Sequence, residues 1–317
     1  MSRKIQSLVN QPLLKPSAVT ECMHQGHLWS GNGFPWPMRE TRHGNSGDLV
    51  SQTQGSGIDF SETRPYQAGD EPRHMNWRAT ARTGRPQVCV FQQDLTATSY
   101  FLIDRRNNMR FGTRRRLKVT QAARLAIFLA TWEARSGTEL GSLMLNDSLQ
   151  WQPPVSGHAG IYQLAQLASK PCPPMFDAPQ VSMKQALSLL AEQIPAGSHL
   201  FLLSDFFDIE EDLLPRLYQL GKQHRVWAID IHDPAEQQLP KAGFLQLVWD
   251  QASAAPDNII NTNDATIQQQ QRSRFDQRQQ QLKNLCDRAG ICYTTVFSDE
   301  DDLTRALQTR TVQTASQ

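Results

Sequence analysis

The chain has 317 residues, with 32 lysines and arginines against 31 aspartates and glutamates, so its formal net charge is +1. This balance excludes a general electrostatic attraction to nucleic acid or to anionic lipid, and only local charge patterns can indicate a partner. A chain of this length can form one large domain, or one domain with a smaller addition.

The cysteines and the apolar runs predict a soluble protein of a reducing compartment. The five cysteines are scattered and form no C-x-x-C pair, which argues against a zinc clamp or a redox motif. The N-terminus lacks the apolar core of a signal peptide, and no apolar run approaches about 18 residues. We therefore expect a cytoplasmic protein without a membrane span.

In chain order, three regions differ in texture. Residues 1–98 are polar and rich in glycine and proline, which predicts loops and short strands, with one strand at 87–92. Residues 99–310 alternate short apolar runs with segments of helical spacing, as βαβ units do, and 311–317 form a tail. The runs that predict buried parallel strands are 100–103, 140–145, 200–203, 226–231 and 291–296.

Four helices are predicted between these strands. The first covers 117–135, where apolar residues repeat at three and four positions. The second begins at Ser182 with a capping box, and the third follows the acidic residues of 208–212. The fourth covers 266–289 and ends before Gly290. This alternation predicts an α/β fold with a doubly wound, mostly parallel sheet, in which ligands lie beyond the carboxyl ends of the strands.

Two acids, Asp104 and Asp205, directly follow predicted strands and should stand at that carboxyl edge. Paired carboxylates there can hold magnesium, but the same residues can instead cap loops or form salt bridges. The acidic residues of 205–212 are the expected partners of a basic run after Asp104, and this pairing opposes both a divalent cation and a nucleic-acid site. The run consists of Arg105, Arg106, Arg110, Arg114, Arg115, Arg116 and Lys118.

Patterns for catalysis and for cofactors are absent from the sequence. No G-x-G-x-x-G or Walker A pattern occurs, Ser204 lacks a G-x-S-x-G elbow, and the eight histidines show no H-E-x-x-H spacing. A phosphotransferase with an aspartate nucleophile would need a second aspartate where Arg106 stands. We therefore predict no catalytic residue and no cofactor.

One stretch, at about 55–85, matches a family signature. It contains the pattern R-x-Y-x-x-G-D-x-x-R-x-x-x-W-x-x-x-A-R, formed by Arg64, Tyr66, Gly69, Asp70, Arg73, Trp77, Ala81 and Arg82. The stretch resembles the bacterial domain-of-unknown-function 58 family, in which the pattern precedes a von Willebrand factor A-like domain. Arginine forks, carboxylates and a tryptophan can form a fixed polar network that locks the motif to the α/β domain, or a surface for a partner.

The resemblance also implies where a metal site would lie. In von Willebrand A domains the first strand ends in D-x-S-x-S, and here the corresponding residues are 104–108, with Arg106 and Asn108 in place of both serines. Ser182 stands roughly where a threonine ligand is expected. Only Asp104, Asp205 and Asn108 remain as ligands of a degenerate site. We hypothesise that Arg106 replaces the metal, with its guanidinium forked between Asp104 and Asp205.

The function implied by the resemblance is that of a partner of MoxR-type AAA+ ATPases, or of other von Willebrand factor A proteins, in the maturation of other proteins. We therefore expect a non-catalytic interaction module. Two alternatives stay open: a magnesium-dependent enzyme that uses Asp104 and Asp205, and nucleic-acid binding through the basic run.

Overall fold

In the computed structural model of the protein, the described residues are 11–29, 59–67, 72, 75–92, 98–173, 181–208, 210–246 and 259–311. They divide into two compact units, one of Met1–Arg39 with Thr98–Gln317 and one of Glu40–Ala97. The division differs from the predicted N-terminal segment of 1–98, because the described residues 11–29 belong with the α/β unit. Most of the predicted tail lies outside the described residues.

The larger unit begins with a helix, α1 (Pro16–Leu28), where the sequence predicted loops. This helix and Trp29, the residue after it, pack against the helix at Lys118–Ala134. The ring of Trp29 lies 5.1 Å from that of Phe128, centroid to centroid. A Cβ on Gly26 would come within 2.5 Å of the Phe128 carbonyl oxygen, so the close approach requires glycine. The apolar stripe of α1 is short and interrupted, which is why periodicity did not reveal it.

The smaller unit contains an antiparallel pair, β1 (Asp59–Pro65) with β2 (Gln87–Gln92), and a short helix α2 (Trp77–Thr83) between them. Asn76 caps α2 by accepting a hydrogen bond from the Ala79 N–H at 3.0 Å. The helix ends at Gly84, whose φ of 69° is left-handed. Loops and strands were predicted here, so α2 is a second helix that the composition concealed.

A six-stranded sheet forms the centre of the larger unit, in the order β10-β7-β6-β3-β4-β5. All neighbouring pairs are parallel except β4 with β5, and β5 is one of the two edge strands of the sheet. This is the doubly wound order, and the predicted fold class is confirmed. The strands are β3 (Thr98–Asp104), β4 (Glu139–Leu145), β5 (Leu149–Val155), β6 (His199–Ser204), β7 (Arg225–His232) and β10 (Cys292–Phe297). A separate antiparallel pair consists of β8 (Phe244–Gln246) and β9 (Ile259–Asn261).

Helices cover both faces of the sheet. They are α3 (Lys118–Ala134), α4 (Gly157–Ala168), α5 (Met183–Gln193), α6 (Leu214–Gln223), α7 (Pro234–Gln237), α8 (Ala265–Ala289) and α9 (Leu303–Thr311). One apolar core contains buried side chains of α1, α3, α4 and α9, and the other contains those of α5, α6 and α8. Alternate residues of the strands face the two cores: Phe101 faces the first and Leu102 the second. The carboxyl ends of β3, β6 and β7 are therefore adjacent at one edge.

The four predicted helices are present, with ends within a few residues of those expected. The capping box of Ser182 and Gln185 is formed, and Gly290 ends α8 with a φ of 69°. Several elements between them were not predicted, namely α4, the edge strand β5, the short helix α7, and the pair β8 with β9. The consecutive prolines 153 and 154 obscure β5, yet proline is tolerated in an edge strand because one side of the strand needs no ladder hydrogen bond.

Candidate site at the carboxyl edge of the sheet

Asp104 is the last residue of β3, and its carboxylate is completely buried. Its oxygens accept hydrogen bonds from the Arg106 N–H at 3.0 Å, from Arg106 Nη2 at 2.8 Å and from the Ser204 hydroxyl at 2.6 Å. Burial raises the pKa of Asp104, and the bonds from Arg106 and Ser204 oppose that rise. The set of donors is that expected for an ionised carboxylate.

Arg106 connects Asp104 to Asp208, in the loop that follows β6. Its Nη1 donates to Asp208 Oδ2 at 2.6 Å and its Nη2 to Asp208 Oδ1 at 2.8 Å, a bidentate pair. Asp208 Oδ2 also accepts the Met183 N–H at 3.0 Å, at the start of α5. Burial opposes ionisation of Asp208, but the hydrogen bonds from Arg106 and Met183 outweigh it and lower the pKa of that carboxyl. The four elements β3, β6, α5 and the loop after β6 are thereby joined.

Asp205 belongs to a second cluster, centred on Lys118. The Lys118 ammonium is buried at the first residue of α3 and donates to Asp205 Oδ2 at 2.8 Å and to Glu236 Oε1 at 2.6 Å. Burial alone would lower the pKa of Lys118, but the two carboxylates raise it. Burial likewise would raise the pKa of Glu236, but hydrogen bonds from His232 and Lys118 lower it to about 2.

His232 extends this cluster at the end of β7. Its Nε2 lies 2.7 Å from Asp230 Oδ2, and its Nδ1 lies 3.4 Å from Glu236 Oε2. Burial would lower the pKa of His232, but the charge and hydrogen bond of Asp230, with a contribution from Glu236, raise it to about 9. The ring is therefore an imidazolium at neutral pH, and Asp230 also accepts a hydrogen bond from the Tyr293 hydroxyl at 2.7 Å.

The hypothesis that Arg106 bridges Asp104 and Asp205 is wrong in its second partner. Arg106 binds Asp104 and Asp208, and Lys118 binds Asp205. The turn after β6 brings Asp208 back over the sheet edge, while Lys118 at the start of α3 reaches Asp205. Each of the two strand-end aspartates therefore has its own buried cation.

The other arginines of the basic run also have partners in the same unit, and three of them form ion pairs. Arg114 pairs with Asp299, and Arg115 and Arg116 both pair with Asp301. The predicted pairing of the basic run with 205–212 holds only for Arg106 and Lys118. Arg105 instead donates to the carbonyl oxygens of Leu167, Lys170 and Pro171, at the end of α4, and Arg110 contacts Cys172 and Asn146.

A family model described as "Protein of unknown function DUF58" matches residues 62–284, more than half of the chain. The chain belongs to this family. Among curated relatives, uncharacterized protein Rv1480 of Mycobacterium tuberculosis and uncharacterized protein Mb1516 of Mycobacterium bovis are each 27% identical over 210 residues. The match covers 63% of this chain and 63% of each relative, so it spans less than two thirds of the relatives' length.

Two solved structures are similar to this DUF58 chain at the level of fold. BatB from Bacteroides thetaiotaomicron is 14% identical, with a TM-score of 0.44 and coverage of 70% of this chain and 100% of that chain. The SpRpn10 VWA domain is 11% identical, with a TM-score of 0.39 and coverage of 67% and 94%. The strand order defines the fold independently of these similarities. None of the helices described here combines the length and apolar character that crossing a bilayer requires.

The DUF58 signature lies in the smaller unit. Arg64 is on β1 and donates to the Pro65 carbonyl at 3.1 Å, and Ala81 and Arg82 are exposed on α2. Two aromatic side chains are also exposed, Tyr66 to 38% and Trp77 to 67%. Gly69, Asp70 and Arg73 lie outside the described residues. Both interpretations of the signature, a fixed polar network and a surface for a partner, therefore stay predictions.

A magnesium ion does not fit the sheet edge as it stands, because both aspartates already bind cations. Asn108 is half-buried in the 3₁₀ turn Asn107–Arg110, and no hydrogen bond described for it reaches Asp104 or Asp205. Ser182 caps α5, so its hydroxyl is engaged with Gln185. Within the described ranges, no group of three or more His, Cys, Asp or Glu side chains is arranged to hold a metal.

Sequence reasoning missed Glu236 and His232, and it assigned Asp208 to a helix start. The signal for Glu236 is the stretch 233–236, in which Asp233 and Glu236 form a capping box directly after β7. That pattern predicts the start of α7. It does not reveal that the other carboxylate oxygen of Glu236 accepts a hydrogen bond from Lys118. Pairing across 118 positions of sequence is visible only in the fold.

Proposed function

We propose that this protein is a non-catalytic protein-interaction module, and that it acts as an adaptor of a MoxR-type AAA+ ATPase. The contact surface would be the carboxyl edge of the sheet, where side chains of both charges are held in fixed positions. Such an edge favours association with a partner of complementary charge and suppresses wrong partners. A cytoplasmic location goes with this proposal.

The occupation of the two strand-end aspartates by cations supports the proposal. A general base or a metal ligand needs a free carboxylate oxygen. Asp104 accepts from Arg106 and Ser204, and Asp205 accepts from Lys118 at 2.8 Å and from the Phe207 N–H at 3.2 Å. A magnesium-dependent reaction at these residues would first require both buried cations to leave.

Capture of the cognate MoxR-type ATPase by the purified protein, with and without ATP, tests the proposal. Phe207 follows Asp205 at the sheet edge and is 62% exposed, so Phe207→Ser changes the surface without removing a buried charge. Phe244→Ser is the matched control, since Phe244 is 76% exposed on β8. We expect ATP-dependent capture by the wild type and the control, and at least a tenfold loss in Phe207→Ser.

The outcomes separate the partner from the surface. Capture that survives in Phe207→Ser moves the contact surface away from the sheet edge, and Trp77→Ser then tests the DUF58 signature. Absence of capture by the folded wild type, in either nucleotide state, contradicts the adaptor function itself.

A further inference from the structure

A cavity of about 300 Å³ lies at the carboxyl edge, between the ends of β6 and β7 and the helix α8. Asp205 and Glu236 contribute to its wall from the strand side. Arg274, Phe275 and Arg278 contribute from α8. The cavity thus adjoins the Lys118 cluster, and Phe207, whose replacement tests the adaptor surface, lies in its wall.

The two acids of the wall are already engaged. Lys118 donates to Asp205 Oδ2 and to Glu236 Oε1, at 2.8 and 2.6 Å. The remaining oxygens accept backbone N–H groups, Asp205 Oδ1 from Phe207 at 3.2 Å and Glu236 Oε2 from Asp233 at 2.9 Å. A cationic ligand would have to displace Lys118, so these acids do not make the cavity a cation site.

The arginines of the wall, in contrast, have donors to spare. Arg274 and Arg278 are four residues apart on α8, so both face the same side of the helix. Arg278 donates to the Asp205 carbonyl oxygen at 3.1 Å. Arg274 is exposed, and its guanidinium has no ion pair with any described side chain. Like charges at this spacing destabilise a helix, and an anion between them would relieve the repulsion.

Next to the arginines, the loop after β6 is strained in a way that presents an aromatic ring. Phe206 has a φ of 49°, the one positive φ among the described non-glycine residues, and bulky side chains rarely adopt it. A hydrogen bond from its N–H to the Ser204 hydroxyl, at 2.9 Å, holds this conformation. Phe206 is buried as a result, while Phe207 is exposed with its ring centroid 5.4 Å from the Arg278 guanidinium. Strain of this kind persists where the surroundings enforce it, and it is frequent at binding sites.

We propose that this cavity binds a carboxylate attached to an apolar group, as in a glutamate or aspartate beside an apolar residue of a partner protein. The inference rests on the proposed adaptor function and names the chemistry that its partner presents. The planar guanidinium forks of Arg274 and Arg278 match a carboxylate. Phe207 and Phe275 provide apolar surface for the attached group. Because Asp205 and Glu236 repel anions, a monoanion is preferred over a phosphate dianion.

Three small probes test the inference by nuclear magnetic resonance. N-acetylphenylalanine carries a carboxylate next to an aromatic ring, its amide is the neutral counterpart, and inorganic phosphate is the competing anion. We expect N-acetylphenylalanine to shift the signals of Phe207 and Phe275 saturably, with the amide and phosphate at least tenfold weaker. The Arg274→Gln/Arg278→Gln variant should also bind at least tenfold more weakly. Arg272→Gln, an exposed arginine of α8 outside the cavity wall, should stay within twofold of the wild type.

Equal affinity for the carboxylate and the amide overturns the inference, as does tighter binding of phosphate or the absence of saturable shifts. These comparisons use the wild-type protein, so they hold even if the double variant fails to fold. Probe binding together with failed capture of the ATPase leaves the cavity intact and contradicts the adaptor function. Capture that persists in the folded double variant, without probe binding to the wild type, contradicts only the carboxylate site.

Discussion

Two buried cations lie at the same sheet edge, and they differ in what surrounds them. Arg106 is forked between Asp104 and Asp208, and its planar guanidinium is enclosed by β3, α5 and the loop after β6. Lys118 bridges Asp205 and Glu236, and Glu236 keeps 29% of its side chain exposed at a cavity. Asp208 at the first site is exposed to a similar 31%, so the two sites differ in the shape of the cation, a planar fork against a compact ammonium, and not in access to solvent. A cavity of about 300 Å³ borders the second site, with Asp205 and Glu236 in its wall.

Replacement of Arg106 tests whether the first site is structural, and the largest effect is expected there. Arg106→Ser leaves the buried Asp104 and the partly exposed Asp208 without their cation, which should lower the free energy of unfolding by roughly 3–5 kcal/mol. Arg115→Ser is the matched control, because the Arg115–Asp301 pair is 66% and 52% exposed and should contribute at most about 1 kcal/mol. Urea denaturation measures both. Equal losses in the two variants would show that the buried fork has no special role.

The same variant tests whether the charge of Arg106 stands in for a metal. Serine restores an oxygen beside Asp104, so magnesium should raise the melting temperature of Arg106→Ser and leave the wild type unchanged. A folded variant that does not respond to magnesium removes this idea, but it does not affect the fold.

Lys118→Met addresses the second site and should lower the free energy of unfolding by about 3 kcal/mol at neutral pH, because the buried Asp205 then loses its cation and Glu236 keeps only His232. The loss should shrink as pH falls from about 4.5 toward 2, because Lys118 helps to hold the pKa of Glu236 at about 2 in the wild type, and this stabilisation disappears as Glu236 is protonated. Lys184→Met is the control, since the Lys184–Asp212 pair is more than half exposed on both sides. A cost that does not depend on pH would mean that lost packing, and not charge, causes the destabilisation.

His232 gives the smallest expected effect and a pH window of its own. Its pKa is raised from 6.5 to about 9 in the folded protein, so its stabilisation is complete below pH 6.5 and is lost as pH rises through about 9. The difference corresponds to at most roughly 3 kcal/mol. The free energy of unfolding should therefore fall more between pH 6 and pH 9.5 in the wild type than in His232→Asn. Equal falls in the two proteins would show that the charge of His232 does not stabilise the fold.

The sequence predicted the sheet and the strand-end acids better than their partners. Asp104 and Asp205 each follow an apolar run, and parallel strands bring such positions to one edge. The choice between Asp205 and Asp208 as the partner of Arg106 depends on how the chain turns after β6, where Phe206 takes a left-handed conformation. No residue pattern around a phenylalanine predicts that conformation. The partner of Arg106 was therefore beyond reach from the sequence.

The sequence also failed to predict helices whose apolar residues repeat only weakly. The helix α3 was predicted because its apolar residues repeat over many positions, whereas α1 and α2 are short and carry glycine, threonine or histidine within them. The helix α1 is stabilised by its contact with α3, far along the chain, and helices of this length depend on such packing. Local sequence does not contain that information.

The contact between α1 and α3 has a consequence for synthesis of the chain. Trp29, directly after α1, packs on Trp132 with ring centroids 4.9 Å apart, so this segment docks on a helix made about 100 residues later. At the usual rate of about 5–20 residues per second, α1 waits roughly 5–20 s before its docking surface leaves the ribosome. During that interval the whole of the smaller unit emerges. The α/β unit can therefore complete its folding only after the smaller unit has been synthesised and has had time to fold.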